Sequence, residues 1–284
     1  MEIKKVGVVG VGIMGTGIVQ TCAQSGYQVV AVGVDEQRVK KRLASIESLL
    51  ARRVEKGKMS QQEKDNVIAN IKGSTNFNDF DECDIVIEAV NEDLDLKKKV
   101  FTQLDKIIPG HCILASNTSC LSITHMAWAT RRPDKVIGMH FHNPAPVMKL
   151  MEVVKTIVTS DETIGIAKEF GQSLDKRVVI APDVCGFVVT RLFTPFVLGA
   201  VRMLEEGIAS RDDIDESCKY ALNHAMGPLE VLDYIGLDTE LAIDEALYEE
   251  TKDAKYAPPN LLRKMVASGW LGRKSGKGFY DYSK

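Results

Sequence analysis

The run Gly138-Met139-His140-Phe141-His142-Asn143-Pro144-Ala145-Pro146-Val147-Met148-Lys149-Leu150-Met151-Glu152 carries an imidazole and a carboxylate that could meet in space. An imidazole titrates near neutrality. A carboxylate bonded to its far nitrogen fixes the tautomer and stabilises the imidazolium, so such a pair can move a proton. Val136 to Met139 and Met151 to Val154 read as strands, and Pro144 with Pro146 forces a bend between them that could return Glu152 to His140. A buried strand histidine with a surface glutamate is the competing reading of the same pattern.

Proton transfer becomes a reaction when a second group takes the electrons. Lys5 to Val9 reads as a short strand running into Gly10-Val11-Gly12-Ile13-Met14-Gly15, and Thr16 to Ser25 then has helical character up to Gly26. In this Rossmann-type first turn, Gly10 permits the tight turn, Gly12 lets the backbone approach a pyrophosphate and Gly15 lets helix and strand pack closely. The glycine pattern alone is weak, but a strand precedes it, a helix follows, and Gln28 to Val34 supplies a second strand. An acid ending that second strand would bind the ribose 2′-hydroxyl of NAD. Here it is Asp35, or the place falls on Gly33 if the strand ends earlier; Asp35 is equally well suited to starting a helix.

The elements that must position these groups follow in order. Residues 36–73 form a charged helical insertion, a helix with apolar Leu43, Ile46, Leu49, Leu50 and Val54, a turn at Lys56-Gly57-Lys58, then a second helix. Its cations either meet phosphates or form a solvated face. Strands follow at Ile85 to Ile87 and Ile113 to Ala115, the latter ending in Ser116-Asn117-Thr118-Ser119 at the carboxyl edge where such sheets bind ligands. After Pro182 the pattern turns wholly helical. The reading is α/β, a dinucleotide-binding domain over residues 1–184 and an all-helical domain over 185–284. Phe187 to Leu204 is apolar on nearly all sides with Pro195 inside it, which calls for burial against other helices or a second subunit and so predicts a homodimer. Ser210 with Asp212 and Asp213, Asp238, and Pro258-Pro259 mark later helices, with Gly269 as a stop.

Composition narrows the partners. The chain has 284 residues, 45% of them apolar, enough for two cores. A net charge of -3 gives no general attraction to nucleic acid or anionic membrane. No apolar run approaches the roughly 18 residues of a membrane-spanning helix, and the chain opens almost directly into a strand, so a cytoplasmic location is expected. The six cysteines form no C-x-x-C pair, so reduced thiols are expected and neither disulfides nor a metal site.

The glycine turn, Ser116-Asn117-Thr118-Ser119, the His140 to Glu152 run, Gly186-Phe187-Val188-Val189, Met226-Gly227-Pro228-Leu229-Glu230 and Gly272-Arg273-Lys274-Ser275-Gly276-Lys277-Gly278-Phe279-Tyr280 occur in one order along the whole chain. In this the chain resembles the L-3-hydroxyacyl-CoA dehydrogenases, in particular the single-chain bacterial members that act on 3-hydroxybutyryl-CoA. The resemblance implies hydride exchange between a nicotinamide and C3 of a 3-hydroxyacyl-CoA. It implies His140 as general acid/base, Glu152 as its orienting carboxylate, Ser119 as a hydrogen-bonding partner of the substrate oxygen, and Asn143 between nicotinamide and substrate. Ile13, Met14, Glu92, Lys97, Asn117 and Lys274 fall at cofactor-contacting positions, and Lys56 at a position that contacts the CoA portion.

Three positions depart from the family pattern. Gly33 stands where an acid usually ends the second strand, and no Arg directly replaces it, so NAD is expected with NADP not excluded. Thr190 replaces an Asn that helps bind the substrate oxygen, with Cys185 in place of a Pro; a Thr hydroxyl donates one hydrogen bond but reaches less far. His142 stands where Phe is usual and is expected at the surface; protonated and close, it would lower the pKa of His140. Two other readings share this layout, a dinucleotide-binding homologue impaired in catalysis and a dehydrogenase of a free 3-hydroxy acid.

Overall fold

A computed structural model of the chain describes residues 1–283, which fall into two compact units, Met1–Val184 and the residues from Cys185 onward. In the first unit the elements run β1 (Lys5–Val9), α1 (Ile13–Gln24), β2 (Gln28–Val32), α2 (Glu36–Glu55), α3 (Gln61–Ala69), β3 (Ile71–Ser74), β4 (Ile85–Glu88), α4 (Leu94–Leu104), β5 (Ile113–Ser116), α5 (Ile123–Ala127), β6 (Val136–Phe141), β7 (Leu150–Lys155), α6 (Asp161–Ser173) and β8 (Arg177–Pro182).

The eight strands form one sheet in the order β3-β2-β1-β4-β5-β6-β7-β8. Its first six positions follow the doubly wound dinucleotide-binding order, whose switch point lies between β1 and β4. The one antiparallel pairing is β6 with β7. β1, β4, β5 and β6 are apolar runs buried on both faces, as a parallel sheet covered by helices requires. Val6, Ile18, Val29, Ile85, Ile113 and Met139 share one core cluster.

Local capping sets the helix starts. The Asp35 carboxylate accepts from Arg38 N and opens α2, and Ser60 with Glu63 forms a reciprocal capping box on α3. The insertion is thus two helices joined at Lys56-Gly57-Lys58, as its periodicity predicts, with two corrections nearby. β2 ends at Val32, not Val34, which leaves Gly33 as the first residue beyond the strand. Residues 71–74 are not part of a helical insertion: Ile71–Ser74 is edge strand β3, pairing in parallel with β2. Its sequence, Ile-Lys-Gly-Ser, carries almost no strand signal, and the pairing partner supplies the conformation.

The second unit is helical: α7 (Val189–Glu205), α8 (Arg211–Ala221), α9 (Pro228–Ile235), α10 (Leu237–Thr251) and α11 (Asn260–Ala267). Val197, Leu198, Val201, Leu229, Leu232 and Leu262 are buried together at its centre. α7 is not buried all round within the chain, because Leu192 is 72% exposed. Ser210 caps α8 through Asp213 N, and Pro259 precedes α11. No helix among the described residues is long and apolar enough to cross a membrane.

Candidate active site

The β6–β7 register sets His140 directly opposite Glu152, so both side chains leave the same face of the sheet. His140 Nδ1 lies 2.8 Å from Glu152 Oε2. An ionised carboxylate only accepts, so Nδ1–H donates and Nε2 keeps its lone pair. Nε2 lies 3.1 Å from Ser119 Oγ. Glu152 is fully buried and His140 nearly so, which excludes the surface-glutamate reading and strengthens the electrostatic bond between them.

Ser119 is held from below. The strand end Glu88 is buried and accepts at Oε1 from Lys97 Nζ at 2.7 Å and at Oε2 from Ser116 Oγ at 2.7 Å. Lys97 Nζ also lies 3.2 Å from Glu92 Oε2, and Glu92 Oε1 accepts from Ser119 N at 3.1 Å and from the Thr118 hydroxyl. Glu92 therefore connects the buried Lys97–Glu88 ion pair to the backbone of Ser119. Lys97, which falls at a cofactor-contacting position, is 1% exposed and paired with the buried Glu88 carboxylate, so it also supports the loop that carries Ser119. Sequence reasoning missed Glu88, which sits at the end of an apolar strand with nothing local to mark it. Asn117 is likewise committed, its Oδ1 accepting from Phe141 N at 2.9 Å and so tying the loop after β5 to the end of β6.

The exposed Asn143 lies in the loop between β6 and β7. Lys176, 7% exposed, clamps that loop by donating to Ala145 O at 2.6 Å and Met148 O at 2.7 Å. Burial lowers its pKa, and the two carbonyls compensate the desolvated charge in part.

His142 is not at the surface. Its side chain is 15% exposed, its ring meets that of His140 edge-on at 4.6 Å between centroids, and its Nε2 lies 3.6 Å from Glu152 Oε2 without forming a hydrogen bond. Burial, reinforced by the neighbouring His140, lowers its pKa to about 4, while Glu152 pulls the other way. His142 is accordingly neutral near pH 7 and places no positive charge against His140. Ligand atoms of His140, His142 and Glu152 lie within 4.8 Å of one another, the one group among the described residues that could hold a metal. The Nδ1 hydrogen bond already occupies two of the three.

At the glycine turn, the residues fit a dinucleotide. Gly10 has φ +94°, and a Cβ there would sit 2.6 Å from Ala89 O; a Cβ on Gly15 would sit 1.7 Å from Gly10 O. A Cβ on Gly12 would meet nothing within 4 Å, so the turn presents bare backbone to open space. Gly12 caps α1 with no side chain, leaving the first-turn N–H groups for an anion. Ile13 is exposed, and Met14 packs on the core. Beside the turn lies a cavity of about 380 Å³ lined by Gly10, Gly12, Val32, Gly33 and Arg38 among others. Gly33 faces it; Asp35 does not line it, and its carboxylate accepts from Arg38 N at 2.6 Å as the cap of α2. Lys56 ends α2 at the surface.

Thr190 and Lys274 belong to the second unit. Thr190 lies in the first turn of α7, and the Lys274 ammonium pairs with Asp238.

Residues 5–184 match the family described as 3-hydroxyacyl-CoA dehydrogenase, NAD binding domain, and residues 186–282 match its C-terminal domain. The chain is 46% identical to a probable 3-hydroxybutyryl-CoA dehydrogenase of Bacillus subtilis over 284 residues, covering 100% of this chain and 99% of that protein. It is 41% identical to the mitochondrial hydroxyacyl-coenzyme A dehydrogenase of Sus scrofa over 288 residues, covering 99% and 91%. The crystal structure of the (S)-3-hydroxybutyryl-CoA dehydrogenase of Ralstonia eutropha superposes with a TM-score of 0.97 at 46% identity over the whole of both chains. With its glycine turn, its His140–Glu152 pair and both domains matched end to end, the chain belongs to the 3-hydroxyacyl-CoA dehydrogenase family, NAD-dependent oxidoreductases of hydroxyacyl-CoA.

Proposed function

We propose that the chain interconverts a short-chain (3S)-3-hydroxyacyl-CoA with the 3-oxoacyl-CoA, namely 3-hydroxybutyryl-CoA with acetoacetyl-CoA, and that His140 is its general acid/base. The observation that carries this reading is the line Ser119 Oγ, His140 Nε2, His140 Nδ1, Glu152 Oε2, with steps of 3.1 and 2.8 Å at its two hydrogen bonds.

In the oxidative direction His140 Nε2 takes the proton of the 3-hydroxyl, and Glu152 stabilises the imidazolium through Nδ1–H. NAD, when bound, accepts the hydride from C3. In reduction the same imidazolium returns the proton to the forming alkoxide. Ser119, whose single hydroxyl proton is directed at Nε2, turns it to the substrate oxygen once the 3-hydroxyl takes its place at Nε2. Asn143 orients nicotinamide and substrate, Thr190 contributes a further hydrogen bond to the substrate oxygen, and Lys56 meets the CoA portion.

The free Cys22, Cys83, Cys112, Cys120, Cys185 and Cys218 suit a reducing compartment, and we assign the chain to the cytoplasm. The second unit carries exposed apolar side chains at Leu192, Tyr220 and Leu222, which support homodimerisation through that unit.

The test is steady-state reduction of acetoacetyl-CoA and of free acetoacetate with NADH. The thioester should be turned over with kcat/KM at least a hundredfold above the free acid, and Lys56→Glu should raise KM for the thioester alone. Equal use of both substrates would assign the chain to free 3-hydroxy acids instead.

A further inference from the structure

Three donor groups meet on the face of the β6–β7 pair that carries the acid/base. His140 and Glu152 stand opposite each other across the two strands, and His142, one residue beyond β6, packs onto both. One donor atom from each lies within 4.8 Å of the other two. Glu152 Oε2 is the shared point, with His140 Nδ1 at 2.8 Å and His142 Nε2 at 3.6 Å. A tetrahedral Zn²⁺ with bonds of about 2.0–2.2 Å to nitrogen and oxygen sets its donors about 3.4 Å apart, so these two spacings straddle what the ion requires.

His142 Nε2 is the atom without another use. It is buried and has no hydrogen-bond partner, an arrangement that costs free energy and that a bond to the nitrogen would relieve. The phenylalanine usual at this position offers no donor atom, so the third ligand is a feature of this chain.

We infer that His140, His142 and Glu152 form an inhibitory site for a borderline-soft divalent cation, Zn²⁺ above all, with two imidazoles and a carboxylate as ligands and water in the fourth position. Binding is an exchange: the Nδ1 proton leaves to solvent and the ion takes its place between His140 and Glu152. The metal-bound ring keeps its one remaining proton on Nε2, the atom that faces Ser119 Oγ. A ring in that state cannot accept the proton of the 3-hydroxyl, and it lacks the second proton that an imidazolium gives back in reduction, so turnover stops in both directions. Mg²⁺ and Ca²⁺ prefer oxygen ligands and do not suit the set. The effect on turnover rests on His140 as the acid/base; binding of the ion does not.

The test titrates ZnCl₂, with MgCl₂ as control, into the metal-free full-length protein and its His142→Phe variant. Binding is read by competition with a chromophoric zinc chelator, and inhibition as acetoacetyl-CoA reduction relative to each protein's own metal-free rate. The parent should bind one Zn²⁺ and lose turnover at least about tenfold at saturation, while Mg²⁺ should do neither. His142→Phe should weaken Zn²⁺ binding and inhibition together, each at least about tenfold, and His142→Gln should behave alike. A parent that binds no Zn²⁺ overturns the inference. So do variants that bind the ion as the parent does, which would place it elsewhere, such as on the half-buried thiols of Cys120 or Cys218. Zn²⁺ held through His142 with undiminished turnover overturns the inhibitory role. A metal-free parent that does not reduce acetoacetyl-CoA would overturn the substrate reading instead, and the chelator titration would still decide the site.

Discussion

The two ends of the dinucleotide-binding unit are built in opposite ways. Around Ser119, His140 and Glu152, nearly every polar atom has a partner: Glu88, Lys97 and Glu92 hold the loop from one side, while the β6–β7 register fixes the two catalytic candidates from the other. Around Gly33 and Arg38 the lining is open, and Arg38, the one charged group in it among the described residues, makes no ion pair with them. A site that moves a proton needs its donor and acceptor fixed to tenths of an ångström, whereas a site that grips a ribose tolerates exchange of one charge for another. Changes at the first end should therefore cost stability or turnover, and changes at the second should act on dinucleotide affinity alone.

The largest effect should follow from removing half of the buried ion pair. Lys97→Met leaves Glu88 charged and unpaired in the interior and should cost about 3–5 kcal/mol, read as a fall in unfolding free energy by urea titration at pH 7. A loss under 1 kcal/mol would mean that the Glu88 network does not carry the loop. Next comes Glu152→Gln, which keeps shape but offers His140 Nδ1–H a neutral acceptor and removes the charge that stabilises the imidazolium. Here kcat for acetoacetyl-CoA reduction should drop about a hundredfold, or roughly 2.7 kcal/mol, with NADH affinity changed less than threefold.

His142 gives a pH-dependent effect whose sign is fixed by its depressed pKa. The folded value is about 4 and the ordinary value 6.5, so between those limits the unfolded chain binds more protons. Stability falls as pH drops from 6.5 towards 4, by roughly 3 kcal/mol from this residue. In thermal melts, His142→Phe should flatten that acid limb while leaving stability above pH 7 nearly unchanged. A variant whose acid limb matches the parent's would show that His142 is already solvated.

Smaller effects are expected from two hydroxyl positions. Ser119→Ala removes one hydrogen bond to the substrate oxygen and should lower kcat/KM about tenfold, about 1.4 kcal/mol. Thr190→Asn restores the longer donor usual in the family and should raise kcat/KM by a few fold, well under 1 kcal/mol for a group that water can replace. Unchanged kinetics in Thr190→Asn would mean that the shorter side chain already meets the oxygen.

How much of this was readable from the chain follows the same division. The His140–Glu152 encounter was legible because period-two strands flanking a proline bend leave few registers, and the glycine turn because its neighbours are a strand and a helix. Glu88 and Lys97 were not, since their pairing is made by α4 crossing over the end of β4, and no local pattern marks a lysine for burial. The burial of His142 was not legible, because it lies one residue past β6, where its packing depends on the returning loop that Lys176 clamps. Gly33 was legible as a missing acid, but the place of Arg38 was not: on paper it is one cation in the charged face of α2, and only the fold brings it to the cavity of Gly33.

The chemistry of this site depends most directly on His140. Its decisive measurement is single-turnover reduction of acetoacetyl-CoA by NADH-loaded His140→Ala, with NADH affinity measured on the same protein. The predicted result is a rate at least a hundredfold below the parent's with NADH affinity within threefold of it; an unimpaired rate would contradict the assignment of His140 as the acid/base.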